Sequence, residues 1–377
     1  TQAEIFALLT GNPAAMEALS SLRHSFVTLC LDLESRPSSP AAAAALAHSG
    51  NFSNRWYSSA LQIVVFGNSK ACLIFNFNAC LAGNVQMRAA SEIWKRSVGA
   101  AGEAGSDADG EVFASREIVI PVKRELLDKV QKDVTSVFHD DPATFEIPEF
   151  GTPFFLSRGV SPVPAFVAAL QLALFRITGR APRIGQLLTM SRYRCMDLTT
   201  AFVTTPEMVN FVHSMANSSG DKQQLRDLLR AAVDSHIAAC REARQCFPLF
   251  RLHSMMADRA QGIRRFYLKS IIRGTNLLLR MLKLDRGPAD ILISHPQVYD
   301  EVHVVGRPGV RVPYLKCFGL HYQIRERSIV LTWMPAMDWQ ISNAEMTKEV
   351  VRALQDIAQL ANPETPLDGT KGDLSLE

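Results

Sequence analysis

One stretch of this chain admits a single local structure. Ser161-Pro162 opens it, apolar residues recur at Phe166, Leu170, Ala173, Leu174 and Ile177, and Gly179 stands just past its end. A hydroxyl residue at the N-cap, proline at the first helical position, the helical apolar period and a terminal glycine together predict a core-facing helix. Such a helix must be covered by other elements. Gln224–Cys246 repeats the period through Leu225, Leu228, Leu229, Ala232, His236 and Cys240, and Ser342-Asn343-Ala344-Glu345 reads as a capping box opening a helix that ends near Leu360. Residues 13–23 and 125–138 carry helical periodicity as well. Strand-type runs occupy Phe26–Leu31, Leu61–Phe66, Ala71–Phe77, Ser115–Val122, Lys316–Ile324 and Ser328–Met334, with a hairpin signal at Gly67-Asn68-Ser69-Lys70. Strands and long helices alternate irregularly, which predicts a mixed α/β (α+β) fold rather than a repeat protein or a bundle.

The 377 residues, 47% of them apolar, can bury one large core or two moderate ones. Gly99–Gly110 has almost nothing to bury and is expected to be a mobile excursion, as is the polar tail after Asn362. The expected division is a partial first lobe over 1–125, a second lobe over 126–361 and a disordered tail over 362–377. A net charge of +3 is too small to imply a nucleic-acid partner by itself. Seven cysteines without a C-x-x-C pair read as reduced thiols in an intracellular compartment. No apolar run reaches the ~18 residues that cross a bilayer. There is no metal-ligand spacing and no glycine-rich phosphate loop, so neither a metal nor a nucleotide is expected.

Three blocks carry a family resemblance. Asn54-Arg55-Trp56-Tyr57 followed by Leu61-Gln62-Ile63-Val64 is the first. Phe150-Gly151, Ser161-Pro162 and Ala169-Leu170-Gln171-Leu172-Ala173-Leu174-Phe175-Arg176-Ile177-Thr178-Gly179 make the second, and Phe318-Gly319-Leu320-His321-Tyr322 the third. In order and spacing they resemble the choline/carnitine O-acyltransferases. The resemblance covers most of residues 15–361 and corresponds to the later part of the family's chain, so the expectation is a chloramphenicol-acetyltransferase-like mixed sheet with flanking helices, truncated on its N-terminal side.

The same register removes the chemistry that the resemblance implies. The family's catalytic Glu-His pair falls on Asn76 and Phe77, and in the family that histidine deprotonates the acyl acceptor in a tunnel between two lobes. A hydroxyl or thiol attacking a thioester needs a base with a pKa near the operating pH, and phenylalanine supplies none. The tyrosine and threonine that hold the carnitine carboxylate fall on Gly185 and Leu198, and Asp197 reverses the charge of an arginine. Two CoA-phosphate lysines fall on Leu156 and Gly159, leaving Arg158 as the remaining candidate for a phosphate contact. Of the Ser-Thr-Ser triplet that steadies the oxyanion, Ser294 alone is able to donate. A substitute Cys/His pair would draw on Cys80, His295 and His321, whereas His236 reads as a packed histidine.

One segment is not explained by the family. Arg259, Arg264, Arg265, Lys269, Arg273, Arg280 and Lys283 occur with no acidic residue between them. A basic helix of this kind suits anionic lipid, RNA or an acidic protein. The sequence is therefore expected to specify an inactive acyltransferase-like subunit of a larger assembly, without resident cofactor, and mitochondrial rather than cytosolic or peroxisomal because family members often work there. A divergent active acyl-CoA-dependent acyltransferase, using CoA or acyl-CoA, and an acyl- or CoA-binding sensor are the alternatives.

Overall fold

The computed structural model describes residues 11–25, 27–47, 54–56, 59, 61–75, 91–92, 94–96, 124–137, 143–190, 198–217, 220–245, 256, 259–281, 289–295, 318–334 and 341–361. The chain divides into two compact units, residues 1–143 with 296–312 and residues 144–295 with 313–377. Both are α/β.

The first unit runs α1 (Pro13–His24), β1 (Val27–Asp32), α2 (Pro40–Ala45), β2 (Leu61–Phe66), β3 (Ala71–Phe75) and α3 (Arg124–Val137). Its sheet has the order β1-β2-β3, with β1 parallel and β3 antiparallel to β2. The expected hairpin is present, and Ser69 takes a left-handed φ of 61° at its turn. β3 ends at Phe75, so Asn76 and Phe77 lie outside the described residues. Side chains alternate across a strand. One face of this sheet therefore puts Cys30, Val64 and Phe66 into a small core with Ala43 and Ala47. The other face carries Val27, Leu29 and Leu31 of β1, all exposed, with Ile63 and Leu73 in the row of Leu29.

The second unit contains β4 (Ala143–Pro148), α4 (Thr152–Leu156), α5 (Pro162–Thr178), β5 (Ile184–Thr189), β6 (Leu198–Phe202), α6 (Pro206–Ala216), α7 (Lys222–Gln245), α8 (Gly262–Met281), β7 (Ile291–Ser294), β8 (Phe318–Ile324), β9 (Ser328–Met334) and α9 (Asn343–Leu360). Six strands form a mixed sheet of order β4-β9-β8-β7-β5-β6. β7 is parallel to both β5 and β8, while β5–β6 and β8–β9 are antiparallel. Ile184, Ile291, Ile293, Leu320, Tyr322, Leu331 and Trp333 line the face that packs on the helices.

The helix α5 is buried on more sides than its sequence period requires, because α6, α7 and α9 all lie against it. Every residue from Pro164 to Leu174 is buried. Its one polar member there, Gln171, is satisfied by donating to the Pro182 carbonyl at 2.8 Å and accepting from Thr204 at 3.3 Å. Gly179 closes the helix at φ 69°, a left-handed conformation glycine adopts without strain. Ser161 holds the N-cap position, but its hydroxyl makes no capping bond, so proline placement rather than a serine cap defines this start. At α9 the predicted cap does form, with Glu345 N–H donating to Ser342 Oγ at 3.1 Å.

The edge strand β4, the short α4, α6 and the strand β6 carry no signal singled out in the sequence. Ser115–Val122, Gly99–Gly110 and the tail after Asn362 lie outside the described residues.

Candidate functional site

The first family-like block builds structure rather than a reaction centre. Arg55 has a fully buried side chain and pairs with Asp32 of β1 at 2.8 Å. Its remaining N–H groups donate to the Ala47 carbonyl at 2.6 Å, the Leu46 carbonyl at 3.1 Å and the Asn54 carbonyl at 2.8 Å. Asn54 donates to Leu31 O at 2.7 Å, and Gln62 Oε1 accepts from the Trp56 backbone at 2.6 Å. A buried guanidinium is tolerated only when its donors are matched in this way. Asn76, Phe77 and Cys80 lie outside the described residues, so the proton-handling position implied by the resemblance is known from sequence alone.

In the second unit, strand register gathers four of the family-implied positions, Gly185, Leu198, Ser294 and His321, while Asp197 lies outside the described residues. Gly185 pairs with Leu292 and Phe202, Leu187 with Ser294 and Thr200, and Thr189 with Leu198. Ser294 in turn pairs with His321, and His321 with Thr332. Positions two apart on one strand, and partners across strands, share a face. Gly185, Leu198, Ser294, His321 and Thr332 thus stand on the sheet face opposite the one packed on the helices. Thr332 meets Thr144 of β4, their hydroxyl oxygens 3.2 Å apart. Those two threonines are 188 residues apart in sequence, and no local pattern could have paired them.

Gly185 has little room to become anything larger. A Cβ built on it would stand 2.8 Å from Thr200 Cγ2, 3.0 Å from Leu292 Cδ2 and 3.2 Å from Ala289 Cβ. Neighbouring side chains already occupy the space in which any side chain at this position would start. Gly151, in the second block, has a different reason: a Cβ there would fall 1.9 Å from the Glu326 carbonyl oxygen. It lets the turn before α4 run against the β8–β9 hairpin, where Thr152 N–H donates to Arg325 O at 2.8 Å.

The two histidines near the family landmarks face opposite ways. Ser294 is the register partner of His321, so His295, one residue on, turns to the helix-packed face. There its ring meets Tyr322 edge-on at 5.0 Å. Desolvation pushes both imidazoles down to about 4, leaving them neutral at pH 7. Among the described residues, His321 Nδ1 has no hydrogen-bond partner. His236 is buried on α7, is likewise pushed down to about 4, and lies 3.6 Å from Cys240 Sγ. Burial raises the Cys240 and Cys72 thiols to about 11, so neither is a thiolate at neutral pH.

Arg158 is committed to its own surroundings. Its guanidinium lies 3.8 Å over the Phe154 ring and donates to the Phe154 carbonyl at 3.0 Å. Leu156 is exposed. Arg264, Arg265, Lys269, Arg273 and Arg280 all fall on α8, Arg259 lies just before it, and Lys283 lies outside the described residues. Among the described residues there is no cluster of His, Cys, Asp and Glu able to hold a metal, and no helix long and apolar enough to cross a membrane.

The family described as Choline/Carnitine o-acyltransferase matches residues 2–356. Carnitine O-acetyltransferase of Mus musculus is 23% identical over 248 residues, which are 63% of this chain and 40% of the mouse protein. The chain therefore spans well under half of that relative. Among solved structures, the condensation domain of the Monacolin K polyketide synthase matches at TM-score 0.46 with 13% identity, over 89% of this chain and 80% of that one. The wax ester synthase/diacylglycerol acyltransferase of Marinobacter aquaeolei VT8 matches at TM-score 0.38 with 9% identity, over 90% of this chain and 80% of that one. A family match across nearly the whole chain establishes that the chain belongs to the choline/carnitine O-acyltransferase family.

Proposed function

We propose that this family member has kept the acyltransferase framework and lost acyl transfer, and that it serves as a structural or binding subunit of a larger assembly, mitochondrial by the family's usual address. The observation that carries the reading is the filled space around Gly185. A missing anchor alone could be compensated by a slightly moved ligand, but a carboxylate site whose starting volume holds Thr200, Leu292 and Ala289 leaves no such place. Asn76 and Phe77 point the same way, since neither side chain takes up a proton at neutral pH. The face of the first unit's sheet that carries Val27, Leu29 and Leu31 offers apolar surface of the kind interfaces cover. Native purification tests the assembly. Recovery of the chain at a defined stoichiometry with other subunits, and no acyl-CoA consumption by the complex, is the expected result. A lone chain turning over acyl-CoA would overturn it.

One observation favours a second reading, a divergent acyltransferase. His321 shares its sheet face with Ser294, and among the described residues its Nδ1 has no partner. Its depressed basicity makes it a poor general base at pH 7. Turnover abolished by His321→Gln would nevertheless decide for this reading.

A further inference from the structure

The helix α8 exposes an apolar stripe that the family's chemistry does not use. Ile263, Phe266, Tyr267, Leu277, Leu278 and Met281 recur at helical spacing, so they share one side of the helix. They are exposed by 85%, 73%, 67%, 61%, 54% and 74%. Leu268 and Ile272, on the other side, are half-buried. Cations border the stripe on both edges. Arg273 stands beside one edge, half-buried Lys269 and then Arg265 continue its i, i+4 row obliquely away from the stripe, and Arg264 stands near the other edge. No acidic residue interrupts the chain between Arg259 and Lys283.

We propose that α8 lies in the interface of an anionic phospholipid bilayer, with the stripe in the acyl boundary and the basic row at the lipid phosphates. The inference does not depend on whether acyl transfer is retained. A planar anionic surface meets cations on both edges of an apolar stripe at once, whereas a protein groove would have to carry carboxylates on both rims. RNA would satisfy the cations but gain nothing from Ile263, Leu277, Leu278 and Met281. Phe266 and Tyr267 add rings suited to the headgroup level. With five basic residues in its 20, the helix lies along a surface rather than crossing it.

Flotation of the full chain on phosphatidylcholine vesicles, with and without phosphatidylserine, tests this. Binding is expected on the anionic vesicles only, and it should weaken at high salt. Replacing Arg265, Lys269 and Arg273 together with glutamine should weaken it about a hundred-fold, at roughly five-fold per cation. Phe266→Ser with Leu277→Ser should abolish it and leave the thermal midpoint unchanged, because both side chains are already in solvent. Absence of flotation on anionic vesicles overturns the proposal, as does undiminished binding by the glutamine variant. A midpoint lowered by the serine pair would show that the chain covers its own stripe, and a dimer lost with that pair would show a second copy as the occupant; either outcome overturns it. Binding to a single-stranded RNA probe that the serine pair leaves intact, without flotation, would assign the cations to RNA instead.

Discussion

Gly185→Ala is the most direct probe of the closed face. At an ordinary β-sheet position, exchanging glycine for alanine stabilises by about 0.4–1 kcal/mol, because the unfolded chain loses freedom. Gly185 has no left-handed φ that would forbid a side chain. Against that gain stands the new methyl, 2.8 Å from Thr200 Cγ2 and 3.0 Å from Leu292 Cδ2, with Ala289 Cβ at 3.2 Å. Leu292 can change rotamer, but Thr200 is β-branched and stiff, and a Cβ moves only with its backbone. Overpacking of this kind costs about 1–3 kcal/mol, so a net loss of ~1–2 kcal/mol is expected. Urea unfolding measures it, and a shifted midpoint at constant m-value identifies a change in stability alone. Thr200→Ser removes the closest carbon, so the Gly185→Ala/Thr200→Ser pair should recover ~0.5–1 kcal/mol beyond additivity. A Gly185→Ala protein as stable as the parent, or more stable, would mean the space is open and would refute the argument that the anchor site is filled.

Further outcomes follow from the same geometry. Arg55→Met should cost ~3–5 kcal/mol in urea unfolding by stranding buried Asp32, and Asp32→Leu in the same chain should restore much of it. No transfer from acetyl-, octanoyl- or palmitoyl-CoA to carnitine or choline is expected in a thiol-release assay, and Phe77→His should leave that unchanged, since base and anchors act as a unit. His236, His295 and His321 are each held near 4 when folded against about 6.5 when unfolded, so the unfolded chain binds more protons between these values. Stability is then full above pH 6.5 and falls as pH drops toward 4, by up to ~1.4 kcal/mol per pH unit for each histidine. Imidazole NMR titrations with midpoints near 6.5 would contradict that burial.

The elements written in strong local chemistry were legible. The α5 segment declares its proline start and its glycine end, and the β2–β3 hairpin declares its turn. The parallel pairings β1–β2, β5–β7 and β7–β8 were not readable, because their registers are set by long-range packing rather than by a turn. The candidate site was legible only in part. Gly185, Leu198 and Ser294 stood out against the family pattern, yet that they share a face depends on the parallel β5–β7 register. That His321 joins them while His295 turns away follows from a one-residue difference that no composition argument resolves.

The residues that make this chain resemble its family are largely those with a packing task. Arg55 and Gln62 tie the first unit's strands to the turns beside them, and Gln171 bridges α5 to Pro182 and Thr204. Arg176 binds α5 to α9 through Glu349 at 3.4 Å and Asp356 at 2.6 Å, and Gly151 lets two backbones touch. Each is a polar residue or a glycine, the types most readily mistaken for catalytic signals in a bare sequence. A framework can therefore score strongly as an acyltransferase while its match says nothing about turnover. What speaks to turnover is the set of positions whose only task would be contact with substrate, and the family resemblance implies that these are the positions of Asn76, Phe77, Gly185 and Leu198. On the proposed reading, Arg55→Met and Gly185→Ala should both lose stability in urea unfolding, and neither they nor the parent chain should show acyl transfer in a thiol-release assay.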